Sequence, residues 1–187
     1  MASIRAGSQQ ALLVVDVQVG VMAECWDAAR VIAQIATAVA RARAAGVPVI
    51  WVAHADAELP QGSPAWQLVP ELKPLAHERR IDKHFHSSFE QTELEQVLAE
   101  AGIAHIVLAG AASGWCIRAT AYAALERGYD LTLLEDAHST ANLVLDDGSR
   151  IDAAQVMREL NIALHWLSYP GRRNAVAGAA EFAFGAA

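Results

Sequence analysis

"IAHIVLAGAASGWCIRATAYAALERGYDLTLLEDA", residues 103–137, is the stretch from which the fold can be read. It opens on an apolar run, 103–110, that ends in glycine and reads as a buried strand. Small residues follow at 111–114. From Trp115 to Gly128, apolar residues recur at three- and four-residue spacings, the period of a helix that Gly128 stops. Residues 129–137 form another apolar run, which ends in acids. Strand, helix and strand in so short a span make a crossover unit. Strands apolar on both faces point to a parallel sheet covered by helices on each side.

The same alternation extends outward. "ALLVVDVQ" (11–18) and "VPVIWVAH" (47–54) read as buried strands, and "RRIDKHF" (79–85) as a shorter one. A helix is expected over 26–46, with Asp27 as N-cap and Gly46 as stop. A Thr92/Glu95 capping box opens another over 92–102. A further helix spans 149–161 under a Ser149 cap. "IALHWLS" (162–168) is either the sixth strand or an extension of that helix. Residues 55–78 form a long proline-rich loop of the kind that is usually functional. The alanine- and glycine-rich tail, 171–187, is either disordered or an arm on a partner subunit. The expectation is one α/β domain over 1–187, with its core at 10–168. It is a three-layer α-β-α sandwich on a six-stranded, mainly parallel, Rossmann-like sheet.

The 187 residues, 54% hydrophobic and 19% charged, suit a single globular core. A net charge of −7 argues against a nucleic-acid partner. No uncharged apolar run reaches the roughly 18 residues of a membrane span. "MASIRAGSQQ" lacks the shape of a signal peptide. The two cysteines, Cys25 and Cys116, cannot make a disulfide framework, so a reducing cytoplasm is the expected compartment.

In sheets of this kind ligands bind outside the carboxyl ends of the strands. Three polar residues fall there. Asp16 interrupts an apolar strand, and a buried carboxylate needs a cation or hydrogen bonds. Lys83, flanked by Ile81, Phe85 and Phe89, is the cation at hand. Cys116 lies past the fourth strand in the first turn of the next helix. A helix N-terminus and a nearby lysine would lower its thiol pKa and make it a nucleophile. The small residues before it allow close approach of backbone amides to a substrate.

"LLVVDVQ", "DKHFHSSFEQTELEQVL" and "VLAGAASGWCIRATAYAALERGYDLTLLEDA" together resemble the isochorismatase-like cysteine hydrolases over roughly residues 10–168. These include nicotinamidases, N-carbamoylsarcosine amidase, ureidoacrylate-type amidohydrolases and streptothricin hydrolase. The resemblance implies an Asp16/Lys83/Cys116 triad in which a thiolate attacks an amide-type carbonyl and passes through a thioester. It also implies a cis peptide at Ala111–Ala112 and an oxyanion hole formed by the amides of Ala112 and Cys116. A homodimer or homotetramer is implied as well. Gln18, Trp26, His84, Phe89 and Trp115 are the candidate substrate-binding residues. The segment after the second strand lacks the metal-binding Asp-x-His of nicotinamidases. His84 and His86 share a face but show no third ligand, so no metal or other cofactor is expected. His54, at a strand end, is either pocket lining or structural. The presence of the cysteine argues against isochorismate cleavage. The expected activity is metal-independent hydrolysis of a small amide, ureide or lactam. The alternative is a catalytically idle binding or scaffold protein.

Overall fold

The computed structural model describes residue 2 and residues 5–185. In chain order, β1 is Gln9–Val15, α1 Val19–Glu24, α2 Ala28–Ala44, β2 Val49–His54 and β3 Arg79–Lys83. Then come α3 at Leu94–Glu100, β4 at Ile103–Ala111, a π-type turn at Ser113–Ile117, α4 at Arg118–Glu126 and β5 at Asp130–Ser139. A small antiparallel ribbon pairs β6 (Leu143–Val144) with β7 (Arg150–Ile151). α5 (Ala153–Trp166) and β8 (Asn174–Ala177) complete the order. Six strands form one parallel sheet in the order β3-β2-β1-β4-β5-β8.

Alternation along β1 builds two cores. Leu13 and Val15 join Ile50, Leu108, Leu98, Leu125 and Leu160 on the face covered by α3, α4 and α5. Leu12 and Val14 join Trp51, Met22, Val31, Ile35 and Val39 on the face covered by α1 and α2. Each buried leucine or isoleucine contributes about 1.5–3 kcal/mol, which is why the inner strands carry almost no polar residue. Gly110 (φ +127°) lets β4 close on β1, because a Cβ there would lie 2.0 Å from the Val15 carbonyl oxygen.

Several local expectations give way. α1 is additional to the helices expected from the sequence. Asp27 does stand at the N-cap of α2, its carbonyl accepting from Val31 N–H at 3.1 Å, but at φ +50° its side chain makes no capping bond and its carboxylate takes Arg30 Nε at 2.5 Å instead. The Thr92/Glu95 box does not form. Thr92 Oγ1 donates to the Ser88 carbonyl at 2.6 Å, and Glu95 pairs with Arg5 and Arg127. α5 is capped by Asp152, whose N–H donates to Gln155 Oε1 at 3.3 Å, while the Ser149 N–H turns to Asp147.

Residues 162–166 continue α5, so the sixth strand is not there. It is β8, inside the tail. Asn174 bridges the two, its Nδ2 donating to the carbonyls of Leu164 (2.5 Å) and Leu167 (2.7 Å). The rest of the described tail also docks on its own domain. Phe182 and Phe184 pack edge to face on each other and against the core on the α2 side, and Arg41 Nη2 donates to the Phe182 carbonyl at 2.9 Å. The described tail is therefore ordered and packs on its own domain. Residues 186 and 187 lie outside the described residues. Among the described residues no helix is long and apolar enough to cross a membrane.

Candidate active site

β1, β3 and β4 end on one edge of the sheet, and each delivers one polar side chain to the same point. Asp16 follows β1 directly, in the left-handed region at φ +53°, with its N–H donating to the Val52 carbonyl. That conformation is uncommon for a residue with a Cβ, and it bends the chain out of the strand. Lys83 is the last residue of β3. Cys116 stands within the π-type turn after β4.

Lys83 Nζ lies 2.7 Å from Asp16 Oδ2 and 3.2 Å from Cys116 Sγ. It also reaches the Phe85 carbonyl at 3.2 Å and His54 Nδ1 at 3.3 Å, so three ammonium protons face four acceptors. His54 Nδ1 is thus an acceptor, and its Nε2–H points to Asp56 Oδ2 at 3.0 Å. Lys83 and Asp16 are each 1% exposed. Asp16 Oδ1 is buried, and among the described residues no group donates a hydrogen bond to it.

Burial pushes the Asp16 carboxyl above its ordinary range, against the pull of Lys83. Burial also pushes the Cys116 thiol up, to about 12, helped by the Asp16 charge and opposed by Lys83. The sequence had suggested a lowered thiol. Cys116 is buried inside the turn, and desolvation outweighs one ammonium shared with a carboxylate. The resting group is a thiol beside a carboxylate with raised proton affinity.

Above the sulfur opens a cavity of about 400 Å³, lined by Asp16, Val21, His54, His86, Ala112, Trp115 and Cys116, with a largely apolar wall. A larger groove of about 580 Å³ lies at the other end of the sheet, around Arg43, Pro48, Leu75 and Ile103, away from these groups. The Ala111–Ala112 peptide is cis. The Ala112 carbonyl accepts from Trp115 N–H (3.0 Å) and Ile117 N–H (3.2 Å), which winds the turn around the nucleophile position.

Of the candidate substrate-binding residues, Trp115 lines the cavity, half exposed and stacked on His86 with ring centroids 5.8 Å apart. The others stand elsewhere. Gln18 is buried and spends its amide on the backbone. Nε2 donates to the carbonyls of His54 and Trp66, and Oε1 accepts from His54 N–H, all at 2.9 Å. Trp26 borders a different groove, beside α5. His84 turns its Nδ1–H to the Ala55 carbonyl at 2.8 Å. Phe89 is core, between Tyr129 and Arg127. His84 and His86 therefore do not act as a pair. Among the described residues no group of three or more His, Cys, Asp or Glu is arranged to hold a metal.

Val21 was missed because α1 was missed. His138 was missed too. It is fully buried beneath the turn, its Nδ1 accepting from Ser113 Oγ at 2.7 Å and its Nε2–H donating to Asn161 Oδ1 at 2.8 Å. Asn161 Nδ2 in turn donates to the Glu135 carbonyl at 3.2 Å, which fixes the direction of the whole run. The sequence signal was a histidine at the end of an apolar strand, "LLEDAHS".

Comparison with known proteins identifies the family and the fold. Residues 10–160 match the isochorismatase domain. A streptothricin hydrolase from Streptomyces noursei is 34% identical over 165 residues, covering 83% of this chain and 65% of that protein. The chain spans less than two thirds of the length of such curated relatives. The crystal structure of an isochorismatase from Pseudomonas putida superposes with a TM-score of 0.80 at 28% identity, over 94% of this chain and 92% of that one. N-carbamoylsarcosine amidase from Thermoplasma acidophilum shares the fold, with a TM-score of 0.73 at 24% identity over 94% and 99% of the two chains. With the domain match covering most of the sheet and all three strand ends, the chain belongs to the isochorismatase family of hydrolases.

Proposed function

We propose that the chain is a cysteine amidohydrolase that cleaves the C–N bond of a small amide, ureide or lactam through a thioester on Cys116. The observation that carries this reading is Lys83 Nζ held between Asp16 Oδ2 at 2.7 Å and Cys116 Sγ at 3.2 Å, at the floor of an apolar cavity. The streptothricin hydrolase and amidase names among its relatives support the same chemistry.

In this reading Asp16 Oδ1 takes the thiol proton as the sulfur attacks the carbonyl carbon. Substrate entry displaces water and makes the ion pair with Lys83 count for more. The developing oxyanion is met by the amides of Ala112 and Cys116. The tetrahedral adduct collapses, the C–N bond breaks, and the nitrogen leaves with the proton from Asp16. Water then hydrolyses the thioester to the acid and restores the thiol. Lys83 keeps both anionic forms bound throughout. A lone thiol of this kind calls for a reducing compartment, the cytoplasm. The reading includes a homodimer or homotetramer, for which exposed Ile162 and Trp166 on α5 offer an apolar face.

The test is ammonia or amine release from a panel of neutral amides, ureides and lactams, with Cys116→Ala as control. Turnover by the wild type and none by a Cys116→Ala protein of unchanged melting temperature supports the reading. A variant that is unstable yet active removes it.

A further inference from the structure

We propose that His86 is a catalytic residue, the base that activates water in the second half-reaction. This rests on the cysteine amidohydrolase reading above. Once Cys116 carries an acyl group, the attacking water must come from the open side of the sulfur, and its proton needs an acceptor there. The cavity wall offers three side chains that can take a proton: Asp16, His54 and His86.

Asp16 lies beneath the sulfur, its side chain 2% exposed and one oxygen bound to Lys83. His54 has both ring nitrogens committed, Nδ1 to Lys83 and Nε2 to Asp56. His86 is different. It is exposed to solvent, and its Nδ1 lies 3.8 Å from Cys116 Sγ. Among the described residues that sulfur is its one hydrogen-bonding contact. Its stack on Trp115 holds the ring over the sulfur. Imidazole is the side chain best matched to proton transfer near neutral pH, directly or through one water.

The sulfur therefore has a sealed base below it and an open base above it. The water O–H proton passes to His86 as the oxygen bonds to the acyl carbon. The C–S bond breaks, and the carboxylic acid leaves. The imidazolium returns its proton across the 3.8 Å gap to the thiolate. Atoms balance: thioester plus water gives acid plus thiol, with His86 unchanged.

The probe is p-nitrophenyl acetate, which acylates a thiol without help for its leaving group. The wild type is expected to turn over with little acetyl-enzyme by intact mass. His86→Gln is expected to release about one nitrophenolate per protein in a burst, then to deacylate about 100-fold more slowly. The acetyl adduct should accumulate on Cys116, and added imidazole should speed its loss. His86→Phe, which keeps a ring against Trp115, should behave like His86→Gln. Deacylation at the wild-type rate in either folded variant overturns the role of His86. Absence of a Cys116-dependent acetyl adduct in every protein overturns the amidohydrolase reading itself, and the role of His86 falls with it.

Discussion

Lys83 Nζ approaches Cys116 Sγ to 3.2 Å, yet burial keeps the thiol's pKa raised, and the ammonium that would offset it is bound more closely by Asp16, at 2.7 Å. The lysine's charge is largely spent on the carboxylate. Asp16→Asn should free it. In that variant the Cys116 thiol loses a neighbouring negative charge and keeps a positive one, so its pKa falls. Iodoacetamide should alkylate Cys116 several-fold faster at pH 7.5 in Asp16→Asn than in the wild type, while amide turnover is lost. Slower alkylation in the variant would show that the carboxylate does not hold the thiol up.

Removing the cation has the opposite logic. Lys83→Met leaves Asp16 buried without its partner, a loss of about 3–5 kcal/mol. Thermal denaturation should show a melting temperature many degrees lower. Adding Asp16→Asn to Lys83→Met removes the stranded charge and should recover much of that loss, while both proteins stay inactive. An additive further fall in the double variant would contradict the pairing.

Gln18 tests positioning against substrate contact. Gln18→Leu strips three backbone groups of their partner, costing about 3 kcal/mol. Stability should fall, and turnover should drop because the His54 strand end loosens. A variant with unchanged melting temperature and a raised KM would return Gln18 to the substrate site.

His138 adds to the loss of stability in acid. Burial depresses it to about 4 in the folded chain, against about 6.5 when unfolded. Between those values the unfolded state binds more protons, so stability rises with pH there. The contribution is full above pH 6.5 and is lost as pH falls towards 4, by roughly 3 kcal/mol in all. His138→Phe should flatten that part of the curve in urea denaturation at pH 4 to 7. An unchanged slope would show that the Ser113–His138–Asn161 run does not govern acid stability.

The buried strands were legible because parallel strands covered on both faces must be continuously apolar, as "LLVV" and "VIWV" are. The convergence of Asp16, Lys83 and Cys116 was legible for the same reason, since charge inside such runs has few explanations. β8 was not legible. "NAVA" is four residues of low strand preference, made into a strand by the free edge of β5 and by Asn174. α1 is six residues, too short to show a period. Gln18 and His84 were misplaced because their partners are backbone atoms distant in sequence, which no local pattern reveals.

β8 has one further consequence. It is held to β5 by only four residue pairs, Leu131–Leu134 against Asn174–Ala177, yet it occupies what would otherwise be an open row of amides and carbonyls. Open strand edges recruit other chains. β8 is itself an edge, but one of four residues, and very short edges are poor templates for another chain. A chain cut after residue 168 would keep its catalytic strand ends and present the ten-residue β5 as its flank instead.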